Sequence, residues 1–227
     1  MNKLWIFGDS FSSSCGLTEG HPYKAWLTKN TVSNNPLECS WQYLLAKDLN
    51  LELKERPKSG CGNTEIITEV LANINYIGKN DFIIIGWTIP TRLSLPGDTE
   101  KFITIPNYMQ AKILDNKFGG THYYDFYTNT FPDKINHHVK YWNNIGMELS
   151  QHLSRSYNII TWSWSHILSN IDSISDHTNN IVHDDHPSIH GHRYIADMLK
   201  NMKWGTLFDL NIEVETIEHT HKPQNLI

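Results

Sequence analysis

The chain has 227 residues, of which 39% are hydrophobic and 19% charged, a balance that fills a globular core and excludes a disordered chain. The formal net charge is −5 and the pI is near 6.2, with no run of Lys and Arg, so a nucleic-acid partner has no electrostatic footprint here. No apolar run approaches the roughly 20 residues that span a bilayer, and Met1 to Ser10 is too short and too soon interrupted for a secretory signal. No membrane partner and a cytoplasmic location are therefore expected.

In chain order, Leu4 to Phe7 is a short apolar run closed by Gly8, which reads as a buried strand. A Ser-rich stretch, Ser10 to Ser14, and an irregular segment to about Glu38 follow. Ser40 is placed to cap a helix whose Trp41, Leu44, Leu45 and Leu49 recur at helical spacing. Leu51 to Glu55 reads as a second strand, and Pro57, Gly60 and Gly62 turn the chain after it. Asn63 reads as the cap of a helix carrying Ile66, Ile67, Val70, Leu71 and Ile74, ended by Gly78.

Phe82 to Ile85 is wholly apolar, as a central parallel strand is, and again ends in glycine, Gly86. From Trp87 to Pro132, prolines and glycines break the pattern, so loops or a lid are expected. A long helical pattern from about Lys134 to Arg155, a strand from Tyr157 to Trp162 and a terminal helix from His190 to Met202 complete the set. Cys15, Cys39 and Cys61 lack metal or redox spacing and read as reduced thiols, with a Cys15–Cys39 bridge left open.

Alternating strands and helices predict an α/β fold in three α/β/α layers with a central parallel sheet. One domain is expected over 1–205, with 88–132 as a loop- or lid-like insertion and 206–227 as a C-terminal tail. Functional groups in such sheets gather at the carboxyl ends of the strands, which singles out Gly8-Asp9-Ser10, the Gly60 loop and Gly86-Trp87-Thr88. Serine is a weak nucleophile until a base takes its proton, and the base needs an orienting acid. Ser10 follows the first strand, while Asp184, Asp185 and His186 precede the terminal helix.

Phe7-Gly8-Asp9-Ser10 resembles the first block of the SGNH/GDSL hydrolases. Asp184-Asp185-His186-Pro187-Ser188 with Gly191-His192 resembles their last block, in the same order along the chain. Ser59-Gly60-Cys61-Gly62-Asn63 is similar to the second block, and Trp41-Gln42-Tyr43-Leu44-Leu45-Ala46 to a helix common in these proteins.

The resemblance implies a flavodoxin-like SGNH hydrolase fold and ester hydrolysis through an acyl-enzyme on Ser10. His186 would be the base and Asp184 the orienting acid, with Asp185 as the fallback. The N–H groups of Ser10 and Gly60 would bind the oxyanion. Small acyl esters, such as O-acetyl groups on carbohydrates, are the implied substrates, and no metal or other cofactor is required. Acyl transfer is the nearest related reaction. Asp9, Asn63, Trp87 and Arg92 are expected around the substrate, Arg92 either on an anionic group or paired with a carboxylate. Tyr108, His122, Tyr123, Tyr124, Phe126 and Tyr127 are further candidates to line the site.

In place of the third block's Gly-x-Asn stands Gly86-Trp87-Thr88-Ile89-Pro90-Thr91-Arg92, a form resembling phage-encoded members. Thr88 is then expected as the third oxyanion donor, through its single hydroxyl proton. Two rival readings follow. The missing Asn admits a catalytically idle glycan-binding or assembly domain. The cluster His183, His186, His190 and His192 with Asp184 and Asp185 admits a metal-dependent phosphoesterase, against which stands the absence of Gly-Asp-x-x-Asp and Gly-Asn-His segments.

Overall fold

A computed structural model describes residues 1–30, 35–89, 92–96, 102–105, 132–164 and 171–208. Its centre is a parallel sheet of β1 (Lys3–Gly8), β2 (Glu52–Glu55), β3 (Phe82–Trp87) and β6 (Asn158–Ser163), in the order β2-β1-β3-β6. The helices are α1 (Pro22–Asn30), α2 (Trp41–Asp48), α3 (Asn63–Asn73), α4 (Pro132–Ser154), the short α5 (Ile174–His177) and α6 (Ile189–Asn201).

The period of two along each strand sorts the core. Leu4, Ile6, Ile84 and Ile160 face one way, against Trp41 and Leu45 of α2 and Ile195 and Leu199 of α6. Trp5, Phe7, Ile83, Ile85 and Ile159 face the other way, against Ile66, Ile67 and Val70 of α3 and Leu153 of α4. Strands β1 and β3 are covered on both faces and so read as continuous apolar runs. This is the expected three-layer α/β/α arrangement about a central parallel sheet, with flavodoxin-like strand order.

Several elements depart from the sequence reading. The segment read as irregular contains α1, whose Pro22 stands at the first helical position, where its missing N–H costs nothing. Ser40 caps α2 as expected, accepting from the Tyr43 N–H. The cap of α3, however, is Gly62, and α3 gives way at Ile74 to a 3₁₀ turn instead of running to Gly78. Within the expected loops, β4 (Leu93–Pro96) and β5 (Phe102–Ile105) form an antiparallel ribbon. The aromatic set from Tyr108 to Tyr127 lies outside the described residues.

After α6 the chain runs along the open edge of β6, with Gly205 N–H donating to Ile159 O at 2.7 Å and Thr161 N–H to Thr206 O at 3.0 Å. The expected tail thus begins as a cover for a sheet edge. Cys15, Cys39 and Cys61 are all free thiols. Among the described residues no helix is long and apolar enough to cross a membrane.

Candidate active site

The strand order reverses direction between β1 and β3, so a crevice opens at their carboxyl ends. Gly8 and Gly86 are register partners at those ends. A Cβ on Gly8 would meet Ser12 Oγ at 2.0 Å, and one on Gly86 would meet the same oxygen at 2.3 Å and Trp164 Nε1 at 2.7 Å. The paired glycines therefore admit the hydrogen bond from Trp164 Nε1 to Ser12 Oγ, 3.0 Å long, beneath the turn that carries Ser10. Ser10 opens that 3₁₀ turn, capped by Asp9, whose Oδ1 accepts from the Phe11 N–H at 3.0 Å.

The last loop is laced to the start of α5. Ile174 N–H donates to His186 O (2.8 Å), Ser175 N–H to Asp184 O (3.0 Å), and Asp184 N–H to Ser175 Oγ (2.7 Å). Ser188 caps α6 by accepting from the N–H groups of His190 and Gly191. In this frame Asp184 Oδ1 stands 2.6 Å from His186 Nδ1 and also accepts the His186 N–H at 2.9 Å. Asp185, next in the chain, is exposed, so the geometry pairs His186 with Asp184.

Burial works against a charged His186, but its hydrogen bond to Asp184 and the neighbouring Cys15 side chain outweigh it and raise its pKa to about 10. Burial would raise Asp184, yet its bonds to His186 hold it down to about 2. The two groups thus form an ion pair. His186 Nε2 is buried with no hydrogen-bond partner among the described residues. The Phe11 ring stacks on the imidazole, centroids 4.5 Å apart, and Asp9 is electrostatically coupled to it. Ser10, 5% exposed, lies between those two residues in the chain.

Gly60 is exposed at φ +75° on the loop after β2. Among the described residues the N–H groups of Ser10 and Gly60 have no acceptor within the chain, so both are free to donate.

The four residues expected around the substrate also hold structural contacts. Trp87 is 1% exposed and packs in the α3/α4 core. Asn63 is buried, and its amide spans the backbone of Thr88, accepting from its N–H at 2.9 Å and donating to its C=O at 3.2 Å. That use of the amide explains why Asn63 is not the cap of α3. Asp9, 1% exposed, accepts from Thr88 Oγ1 at 2.7 Å and from Arg92 Nη1 at 3.0 Å. Burial pushes the Asp9 carboxyl up, and Arg92, Thr88 and the Phe11 N–H oppose it. Arg92 is thus paired with a carboxylate through Nη1. The Thr88 hydroxyl has one proton and spends it on Asp9, so it differs from the expected oxyanion donor.

The histidine cluster disperses. His192 is wholly buried and accepts the Trp41 N–H on Nδ1 at 3.3 Å; burial lowers its pKa to about 3. His190 packs edge-on to His177, and His183 is exposed. Among the described residues no three His, Cys, Asp or Glu side chains are grouped to hold a metal ion. Sequence reasoning missed His21, whose Nε2 lies 2.9 Å from Asp184 Oδ2. It stands far from Asp184 in the chain, and no spacing rule joins the two.

No family model matches the chain, and no curated protein matches it. The chain is similar to a solved structure described as a "putative lipolytic protein of G-D-S-L family" from Desulfitobacterium hafniense DCB-2. The identity is 14%, the TM-score 0.36, and the match covers 88% of this chain and 98% of the other.

Proposed function

We propose that the protein is a serine hydrolase of carboxylic esters, with Ser10 as nucleophile, His186 as general base and acid, and Asp184 as orienting acid. The observation that carries this reading is the Asp184–His186 pair, whose imidazole stacks on the ring of Phe11, the residue after Ser10. In the first half-reaction His186 Nε2 takes the Ser10 proton as Oγ bonds to the ester carbonyl carbon. The oxyanion accepts from the Ser10 and Gly60 N–H groups, each such donor being worth roughly 3–4 kcal/mol of barrier. The carbon–alkoxide bond then breaks, and the His186 proton leaves with the alcohol. Water repeats the sequence on the acyl-Ser10. A second alcohol in place of water makes the reaction acyl transfer.

Small acyl groups on hydroxyl-bearing carriers such as carbohydrates are the proposed substrates. A polar cavity of about 570 Å³ borders the Asp184 loop and includes Ser175, Asn180 and Asp185, but Ser10 does not line it. It is therefore not assigned to the scissile ester.

The commitment of the Thr88 hydroxyl to Asp9 favours a second reading, a domain that binds an acylated glycan and returns it unchanged. Steady-state hydrolysis of p-nitrophenyl acetate and of an acetylated xylo-oligosaccharide separates the two. The hydrolase reading predicts turnover that falls at least about a thousandfold in Ser10→Ala with the melting temperature kept. Equal rates in wild type and Ser10→Ala contradict it.

A further inference from the structure

His21 precedes α1, and its ring is held from both sides. Nδ1 accepts the Tyr23 N–H at 3.2 Å, and Nε2 meets Asp184 Oδ2 at 2.9 Å. A ring nitrogen that accepts an N–H carries no proton, so the one remaining proton sits on Nε2, the nitrogen 2.9 Å from the Asp184 carboxylate. Asp184 thus has Oδ1 hydrogen-bonded to His186 and Oδ2 beside His21 Nε2.

The mounting of His21 is firm. Ala25 N–H donates to the His21 C=O at 3.3 Å, so the residue forms the N-terminal hinge of α1. Tyr23, wholly buried, accepts the Ile189 N–H on its hydroxyl at 3.0 Å, which fastens α1 to the start of α6. Leu17, Tyr23 and Leu27 pack with Ile174 of α5. The helix that follows His21 is thus docked on the two elements that bracket the Asp184–His186 loop.

From this geometry we infer that His21 is a positioning residue of the site, a neutral imidazole whose Nε2–H holds Asp184 Oδ2 and so aims Oδ1 at His186 Nδ1. A carboxylate held by one oxygen swings about its Cβ–Cγ bond; one held by both does not. The inference rests on the Ser10–His186–Asp184 reading for its catalytic consequence, but the tautomer and the clamp do not depend on it.

Two measurements test it. Long-range ¹⁵N–¹H correlation spectra of the histidine rings at pH 7.5 are expected to show His21 as the Nε2–H tautomer; an Nδ1–H tautomer or an imidazolium overturns the inference whether or not the protein turns over esters. Kinetics of His21→Ala and His21→Gln on p-nitrophenyl acetate test the consequence. His21→Ala is expected to lose about ten- to a hundredfold in kcat with KM within twofold, as misaimed catalytic groups do. The Gln side chain places an amide N–H near the Nε2 position, so His21→Gln is expected to recover most of that loss. A His21→Ala variant that keeps wild-type kcat, or a folded His21→Gln no better than it, overturns the inference. Turnover that survives Ser10→Ala instead removes the catalytic reading while the spectra still decide the clamp.

Discussion

The charge state of His186 sets when the proposed reaction can run. An imidazolium cannot accept the Ser10 proton, so activity needs His186 neutral. With its pKa raised to about 10 from the ordinary 6.5, the neutral fraction grows only on the alkaline side. The pH profile of kcat/KM, which reports the free protein, is expected to rise through a midpoint clearly above 6.5. Asp184→Asn removes the main raising partner, so the midpoint should move down while kcat falls by up to about 10⁴. A midpoint at or below the ordinary value contradicts the ion pair. The same pair bears on stability. The His186 share is complete below 6.5 and is lost as pH rises through about 10. The Asp184 share is present above 3.8 and is lost as pH falls through about 2.

At the scale of elements, Gly86 and Gly60 differ in kind. Gly86 lacks room, since a Cβ there would strike Trp164 Nε1 at 2.7 Å and Ser12 Oγ at 2.3 Å. Gly60 has room, with nothing within 4 Å, and only its φ of +75° disfavours a side chain. Denaturant unfolding of the two Ala variants should therefore separate. Gly60→Ala is expected to cost about 1–2 kcal/mol, and Gly86→Ala more, about 3 kcal/mol or above. Equal costs would mean that the close packing of β1, β3 and Trp164 is not as described.

Elements also show what was legible from sequence. The faces of α2, α3 and α6 follow from apolar spacing, because burial on one side leaves a periodic trace, and β1 and β3 from continuous apolar runs, because both their faces are covered. Helix α1 left little trace. Pro22-Tyr-Lys-Ala-Trp-Leu buries only Tyr23 and Leu27, too narrow a stripe to stand out. The partners of Asp9 and Asn63 were hidden for another reason. Their hydrogen bonds cross from one strand end to the next, and residue type alone does not distinguish a substrate contact from a buried strut. Pairing of His186 with Asp184 was legible through a resemblance in spacing, whereas the reach of His21 to the same acid was not.

For the whole molecule, His192 ties together the two helices that cover one face of the sheet, its Nδ1 receiving the N–H of Trp41 at the start of α2. Its pKa is lowered from 6.5 to about 3, so between those values the unfolded chain binds a proton that the folded one refuses. Stability then rises with pH across this window and is lost on acidification, by up to about 1.4 kcal/mol per pH unit for one proton. His192→Asn keeps an acceptor near the Trp41 N–H and cannot titrate. Its denaturant midpoint is expected to fall less steeply than wild type between pH 6.5 and pH 4. Parallel slopes would show that other groups carry the acid limb.

The fold brings a serine turn from one end of the chain to a His–Asp pair from the other, and the proposed chemistry depends on that meeting. Labelling with a fluorophosphonate, followed by peptide mapping, tests it most directly, because such probes bond to a serine only when a base activates it. The account predicts one phosphonylated site, Ser10, at alkaline pH, and its loss in His186→Ala with the fold intact. Folded wild-type protein left unlabelled across the pH range, or a label at Ser10 that persists in His186→Ala, contradicts it.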